Sequence, residues 1–329
     1  MFLGLDLGTS GVKVLLVDGD GHAVGSADAS YDVSNPAPGW SEQDPADWTV
    51  GVSAALSTLK AAHPDAFGAV QGLALSGHMH GAVLVDAVGD VLRPCILWND
   101  TRSFEQAAAI DGDPQARDIS GNIVFPGFTA PKLAWVAVHE PDVFAKVARV
   151  MLPKDYVVWW LTGRYTTEMS DAAGTAWLDV GARAWSDPLI ALGGMTRAQM
   201  PDLLEGTDVV GDVQSARAAL GLPTACKVIA GGADNAVAAC GVGALGEGQG
   251  FVSLGTSGVV LAGRDTYAPL PASAVHTFCH AVPARWYQMG VVLAATDSLN
   301  WLSRITGQSA QALSEGAGDV LQAPGAVKY

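Results

Sequence analysis

The sequence predicts an α/β protein of two domains related by an internal duplication, and three observations predict it. The hexapeptide Asp6-Leu7-Gly8-Thr9-Ser10-Gly11 returns almost unchanged as Ser253-Leu254-Gly255-Thr256-Ser257-Gly258. Each copy follows a short apolar run and precedes another, so both read as strand, tight loop, strand, and a supersecondary unit used twice is the mark of duplication. Apolar runs of strand character alternate along the chain with segments of helical spacing. Finally, 329 residues, 49% of them hydrophobic and 16% charged, are enough for two buried cores.

Taken in order, residues 2–6, 12–18 and 22–27 are predicted as strands. GTSG and Asp18-Gly19-Asp20-Gly21 join them, turn chemistries that suit antiparallel neighbours. Asp44-Pro45 supplies an N-cap and a first helical proline, and Trp48, Val52, Leu56 and Leu59 then recur at helical spacing until His63-Pro64. A strand over 70–76, a loop Gly77-His78-Met79-His80-Gly81 and a return strand over 82–86 follow, and 92–102 is irregular. Residues 111–131, rich in Gly, Pro and Asp, predict an excursion over the surface. Helices are expected over 132–140 and 153–162, the second stopped by Gly163. A buried strand over 228–230 runs into Gly231-Gly232-Ala233-Asp234, and 235–240 is a helix of small residues. The glycine-rich run 246–250 is the expected hinge between a first domain, 1–246, and a second, 247–329. One or two further helices fall around Leu299 to Leu321.

Composition excludes several classes. A net charge of −15 with only 18 basic residues leaves no cluster of Lys and Arg for nucleic acid or an anionic membrane. Cys95, Cys226, Cys240 and Cys279 are widely spaced in apolar stretches, which reads as reduced core thiols of a cytoplasmic protein. No signal peptide and no membrane-spanning run is expected. There is no GxxxxGK[ST]. The single GxGxxG, Gly241 to Gly246, follows a helix and precedes a strand, the reverse of a dinucleotide site, so its glycines are read as close helix packing.

The duplicated loops suit phosphate. Glycines admit a ligand to the backbone, and consecutive N–H groups with Thr and Ser hydroxyls form a concave donor set. Asp6 enters the first loop where the echo has Ser253, and one carboxylate beside a phosphate cradle is what Mg²⁺ needs, unless Asp6 merely caps the turn. Asp234, glycine-flanked at a helix start, is either an N-cap or the base that orients a hydroxyl nucleophile. His78-Met79-His80 lacks a third ligand for a metal, and a loop tip with imidazoles fits polyol hydroxyls better. Trp98, Asn99, Asp100 and Arg102 offer an apolar plate beside polar groups for the same ligand.

The segments MFLGLDLGTSGVKVLLVD, GHMHGAVLVD, VLRPCILWNDTR, GFTAPKLAWV, LPKDY, SDAAGTAWLDV, GGADNA and SLGTSGVV together resemble the FGGY carbohydrate kinases over the whole chain and in order. The resemblance implies the actin-like ATPase architecture of two ribonuclease-H-like domains, with ATP and sugar in the cleft between them. Asp234 is then the catalytic base; Asp6 serves the metal and phosphates with Thr9, Ser10 and Lys13 nearby; Met79 and His80 contact the sugar, with Asn235 following the base and Trp98 and Asn99 beside them. Gly255 and Thr256 meet the ATP phosphates. The implied reaction is ATP- and Mg²⁺-dependent phosphorylation of D-xylulose, with a homodimer as candidate assembly. A sibling kinase of another ketose or polyol, or a non-catalytic sugar-sensing ATPase domain, is the alternative. The chain departs from the family at His78, where Gln is frequent, and at Tyr329, where the family continues. The second domain is therefore expected to be incomplete here, its adenine-binding residues lying further on, and this chain alone is expected to be inactive.

Overall fold

The computed structural model describes residues 1–255 and 257–317. Thr256 and the end of the last expected helix, Leu321 included, lie outside the described residues. The chain opens with β1 (Phe2–Leu7), β2 (Gly11–Val17) and β3 (Ala23–Ser30), an antiparallel meander as the turn chemistry requires. Helix α1 (Pro45–Ala62) follows, with the Asp44 side chain accepting from the Ala46 N–H and Pro45 in the first turn. Its Trp48, Val52, Leu56 and Leu59 are buried against Leu3, Leu5, Leu7, Val12, Val14 and Leu16, the inward-facing alternate residues of β1 and β2.

Strand β4 (Gly72–Gly77) leads through the His78–His80 loop to β5 (Val83–Val85). This is not the return strand the sequence suggests. β4 already has β1 on one edge and a later strand on the other, so β5 pairs instead with β6 (Arg149–Met151) after helix α2 (Thr129–His139). Then come α3 (Pro153–Thr162), closed by Gly163 at φ 75°, β7 (Thr166–Glu168), the single turn α4 (Met169–Ala172), β8 (Val209–Asp212), β9 (Lys227–Ala233) and α5 (Asp234–Gly241). The second hairpin is β10 (Gly250–Leu254) and β11 (Gly258–Arg264), followed by β12 (His276–Cys279), β13 (Trp286–Val292), α6 (Thr296–Thr306) and α7 (Ala310–Ala317).

Two sheets result. The larger has the order β8-β9-β4-β1-β2-β3, with β9, β4 and β1 parallel; the smaller is antiparallel, β10-β11-β13-β12. The repeated hexapeptide closes a hairpin in each sheet. Leu7 faces Val12 in the first but Leu254 faces Gly258 in the second, so the echo is one residue tighter. A shared core joins the sheets: Phe278, Tyr287 and Met289 are buried with Met79, Phe128 and Ala236. Asn122, in the chain after Pro114–Ser120, is tied to β12, its Nδ2 donating to the Thr277 carbonyl at 2.9 Å and its Oδ1 accepting the Thr277 N–H at 2.8 Å.

The supposed surface excursion over 111–131 is folded instead. Pro114–Ser120 is a helix, capped by Asp113 accepting from the Gln115 N–H and ended by Gly121 at φ 70°. Val124, Phe128 and Thr129 beyond it are buried. The Asp, Pro and Gly of this stretch are caps rather than loop markers. Gly241 and Gly243, expected to allow close helix packing, face open space; Gly243 is there for its φ of 77°. The cysteines are free, three of them buried and Cys240 half-buried.

One glycine the fold depends on is Gly231, at φ 79°, where a Cβ would collide with the Leu75 carbonyl of β4. Gly231→Ala is expected to lower the unfolding free energy by more than about 2 kcal/mol, combining the left-handed penalty with the collision. A urea midpoint equal to that of the unmutated chain would show that β9 can relax away from β4.

Candidate active site

Parallel strands deliver their following loops to one end of a sheet, where ligands of α/β proteins gather. Here β1, β4 and β9 are adjacent and in register: Leu7 lies opposite Gly77, and Gly77 opposite Ala233. GTSG, the His78–His80 loop and Asp234 therefore leave the same sheet edge. With strands about 4.8 Å apart, the chain at Asp6 and at Asp234 is separated by roughly 10 Å.

The first loop is braced from behind so that its own donors stay free. Tyr31 Oη donates to the Gly8 carbonyl at 2.7 Å, and Gln43 Nε2 to the Thr9 carbonyl at 2.7 Å, while Trp48 Nε1 holds Gln43 Oε1 at 3.1 Å. The N–H groups of Thr9 and Ser10 make no backbone hydrogen bond among the described residues. Trp98 Nε1 donates to Thr9 Oγ1 at 3.0 Å, which ties the indole to the loop and leaves its ring as the surface. Asp6 and Lys13 are directly paired across β1 and β2 and both are exposed. Asn99 is exposed and lines an open depression with Gly39, Trp40 and Ser41.

Asp100 and Arg102 do not face a ligand. Arg102 holds Asp100 through Nε and Nη2, at 2.9 and 2.6 Å, gives its third nitrogen to Glu42 at 2.6 Å and stacks on Trp40. Both side chains are buried, and a bidentate pair of this kind is spent on structure.

The two histidines of the second loop part company. His78 is buried and meets Trp48 edge-on at 5.7 Å, so it does not offer its ring at a loop tip, as the sequence suggests, but faces the core. Burial, then the Lys132 charge, lowers its pKa to about 4. Met79 is also buried and packs towards Gly174. His80 holds φ at 70°, stacks on Phe128 at 4.9 Å and bonds the Gly174 carbonyl through Nδ1 at 2.6 Å. Burial above all lowers its pKa to about 3, so the ring is neutral, and the proton sits on Nδ1 to make that bond. Nε2 is left as a hydrogen-bond acceptor.

His80 is fixed by residues to which the sequence reading gave no role. Its carbonyl accepts from Lys132 Nζ at 3.2 Å and from Thr129 Oγ1 at 3.1 Å. Lys132 also reaches the carbonyls of Gly127 and Phe128, and its complete burial lowers its pKa to about 7. The signal was a lysine inside an apolar helical repeat, Pro131-Lys132-Leu133-Ala134-Trp135, where a solvated position would break the pattern.

Asp234 opens α5 at the end of β9. Its Oδ1 accepts from the Asn235 N–H at 2.6 Å and from Asn235 Nδ2 at 2.9 Å, and no other protein donor among the described residues takes its second oxygen. Burial raises its pKa to about 6 against those bonds, and the Asp6 carboxylate adds to the rise. Behind it lies a buried charge cluster. Lys154 Nζ is 2.6 Å from Asp155 and 3.7 Å from both Glu168 and Asp171, and all four side chains are buried. Burial alone would lower Lys154, but the three carboxylates hold its pKa above the ordinary value. Of the second GTSG loop, Gly255 is exposed and its carbonyl accepts from the Thr296 N–H and Oγ1 at 3.1 and 2.6 Å.

A glycine loop, the His80 loop and a carboxylate of raised pKa at one end of adjacent parallel strands belong to an α/β architecture of the actin-like ATPase fold. Residues 1–241 match the N-terminal domain of the FGGY family of carbohydrate kinases, and the chain belongs to that family. It is 46% identical to the xylulose kinase of Escherichia coli strain K12 over 94% of this chain and 64% of the relative. It is likewise 46% identical to that of Klebsiella pneumoniae over 97% and 68%. The crystal structure of a "xyloylose kinase" from Brucella ovis superposes with a TM-score of 0.94 at 55% identity, covering 99% of this chain and 68% of that one. The chain thus spans about two-thirds of the length of these relatives. No helix among the described residues is long and apolar enough to cross a membrane.

The raised pKa of Asp234 carries a stability signature. Its folded value, about 6, exceeds the ordinary 3.8, so stability falls as pH rises through that window and the full cost is present above it. Asp234→Asn is expected to raise Tm at pH 7.5 and to leave it unchanged below pH 4. A lower Tm at pH 7.5 would show that the charge is stabilised where it stands.

Proposed function

We propose that this chain carries the sugar site and the base of an ATP-dependent kinase that converts D-xylulose to D-xylulose 5-phosphate. The observation that carries the reading is Asp234, one oxygen held by Asn235 and the other free, at the end of a parallel strand beside the GTSG and His80 loops. Relatives at 46–55% identity named as xylulose kinases support the choice of sugar.

The neutral His80 would accept a sugar hydroxyl proton at Nε2, orienting the ring-opened ketose between Asn235, the Trp98 face and Asn99. Asp234 would take the proton of the hydroxyl on C5 as its oxygen attacks the γ-phosphorus of ATP and the bond to the β-phosphate oxygen breaks. The base has modest work in such a loose transition state, where position and charge neutralisation dominate. The free N–H groups of Thr9 and Ser10, with Lys13, would receive the phosphates from this side, and Gly255 and Thr256 from the other. Asp6 is exposed beside the first loop, a single carboxylate that would suit Mg²⁺, which needs few protein oxygens. When bound, Mg²⁺ would neutralise phosphate charge. Residues 1–246 and 247–329 are read as two domains hinged at 246–250, where Gly248 holds φ at 79°. The net charge of −15 speaks against a nucleic-acid partner.

In the full-length enzyme, Asp234→Ala should reduce kcat by roughly 10²–10⁴ with sugar affinity changed only a few fold. In the unmutated enzyme kcat/KM for the sugar should fall tenfold per pH unit below about 6, as the base is protonated. More than a tenth of the kcat surviving in the variant would put the base elsewhere.

Asp6→Asn should weaken nucleotide binding only when Mg²⁺ is present, leaving sugar affinity alone. Equal loss in titrations with and without Mg²⁺ would make Asp6 a turn residue.

A further inference from the structure

Strand β9 loses its regular ladder just before the base. Its pairing with β4 is dislocated between Ile229 and Gly232; the N–H groups of Ala230 and Gly231 turn instead to the carbonyls of Asp208 and Gly206, each at 3.0 Å. Past this bulge the strand that carries Asp234 has only its last two pairings with β4 to hold it, at Gly232 and Ala233. The Ala233 N–H, immediately before the base, is taken by a side chain: it donates to Ser170 Oγ at 3.0 Å. Ser170 in turn donates to Glu168 Oε2 at 2.7 Å, and the same carboxylate caps the α4 turn, accepting the N–H groups of Ser170 and Asp171 at 2.7 and 2.9 Å. Glu168 is anchored at the end of β7 and lies 3.7 Å from Lys154 Nζ. Ser170 also closes the space over Gly232, where a Cβ would come 3.2 Å from its hydroxyl oxygen.

We propose that Ser170, oriented by Glu168, is a positioning residue for the phosphoryl-transfer base: it fixes the main chain at Ala233 and so the placement of the Asp234 carboxylate. The inference rests on Asp234 being the base. A polar chain of buried side chain, buried carboxylate and buried lysine is a costly way to satisfy one backbone N–H, unless that N–H has to stay in one place. A displacement of about 1 Å at a reacting group can cost on the order of a hundredfold in rate.

The test is a double-mutant cycle in the full-length enzyme with Ser170→Ala, Asp234→Asn and the pair, scoring kcat, the sugar Kd by calorimetry and Tm. Ser170→Ala should lower kcat by roughly ten- to a hundredfold with the sugar Kd within about twofold, and should have no further effect on the residual rate of Asp234→Asn. Should Ser170→Ala not fold, Ser170→Cys, of similar shape but a weak acceptor, replaces it. Unchanged kcat in the folded serine variant, or equal fold losses in both backgrounds, overturns the positioning role while leaving the base in place. More than a tenth of the unmutated kcat surviving in Asp234→Asn overturns the base itself, a separate result.

Discussion

The parallel hydrogen-bonded ladder of β1, β4 and β9 is the constraint on which the rest of the structure depends. Three motifs separated by some seventy and then some one hundred and fifty residues have nothing local to hold them together. The register that sets Leu7 beside Gly77 and Gly77 beside Ala233 brings their loops to one edge. α1 covers one face of β1 and β2 and buries Trp48, while α5 extends from Asp234 towards the second sheet. Packing therefore fixes the strands, and the strands fix the chemistry.

What the ladder cannot fix is done by buried polar groups, and each is matched to a backbone atom at a loop. Lys132 takes the carbonyls around His80, Gln43 and Tyr31 take those of the GTSG loop, and Ser170 takes the N–H before Asp234. Buried charge is expensive unless compensated. Lys154 shows the compensation, a single ammonium facing three carboxylates. Tyr287 from the second sheet is buried within electrostatic reach of Asp234, Glu168 and Asp171, which raise its pKa after burial itself. The two sheets thus share an electrostatic environment as well as an apolar core.

Much of this was legible in the sequence, and where it was not the reason is physical. The meander, α1 with its Asp44-Pro45 start, and α3 with its Gly163 stop all follow local chemistry, and local chemistry decided them. The same Asp-Pro pattern at Asp113-Pro114 was overlooked because Gly121 and Pro126 nearby suggested a loop, although Gly after a short helix is also its C-cap. The partner of β5 was out of reach because it depends on which edges of β4 are already filled, a property of the whole sheet. Asp6 near the end of β1 and Asp234 at the start of α5 lie on the elements the sequence predicts. His78, Asp100 and Arg102 are buried where the sequence suggests ligand-facing groups, since composition shows that a residue is polar but not which way its side chain turns. The braces were the least visible, for Lys132, Glu168 and Ser170 act on backbone atoms distant in sequence.

The most direct measurement is a crystal structure of the full-length enzyme with D-xylulose bound. The account predicts the C5 hydroxyl within hydrogen-bond distance of the free oxygen of Asp234, with a second sugar hydroxyl donating to His80 Nε2. A sugar bound with no hydroxyl near Asp234, or seated away from the carboxyl ends of β1, β4 and β9, would contradict it.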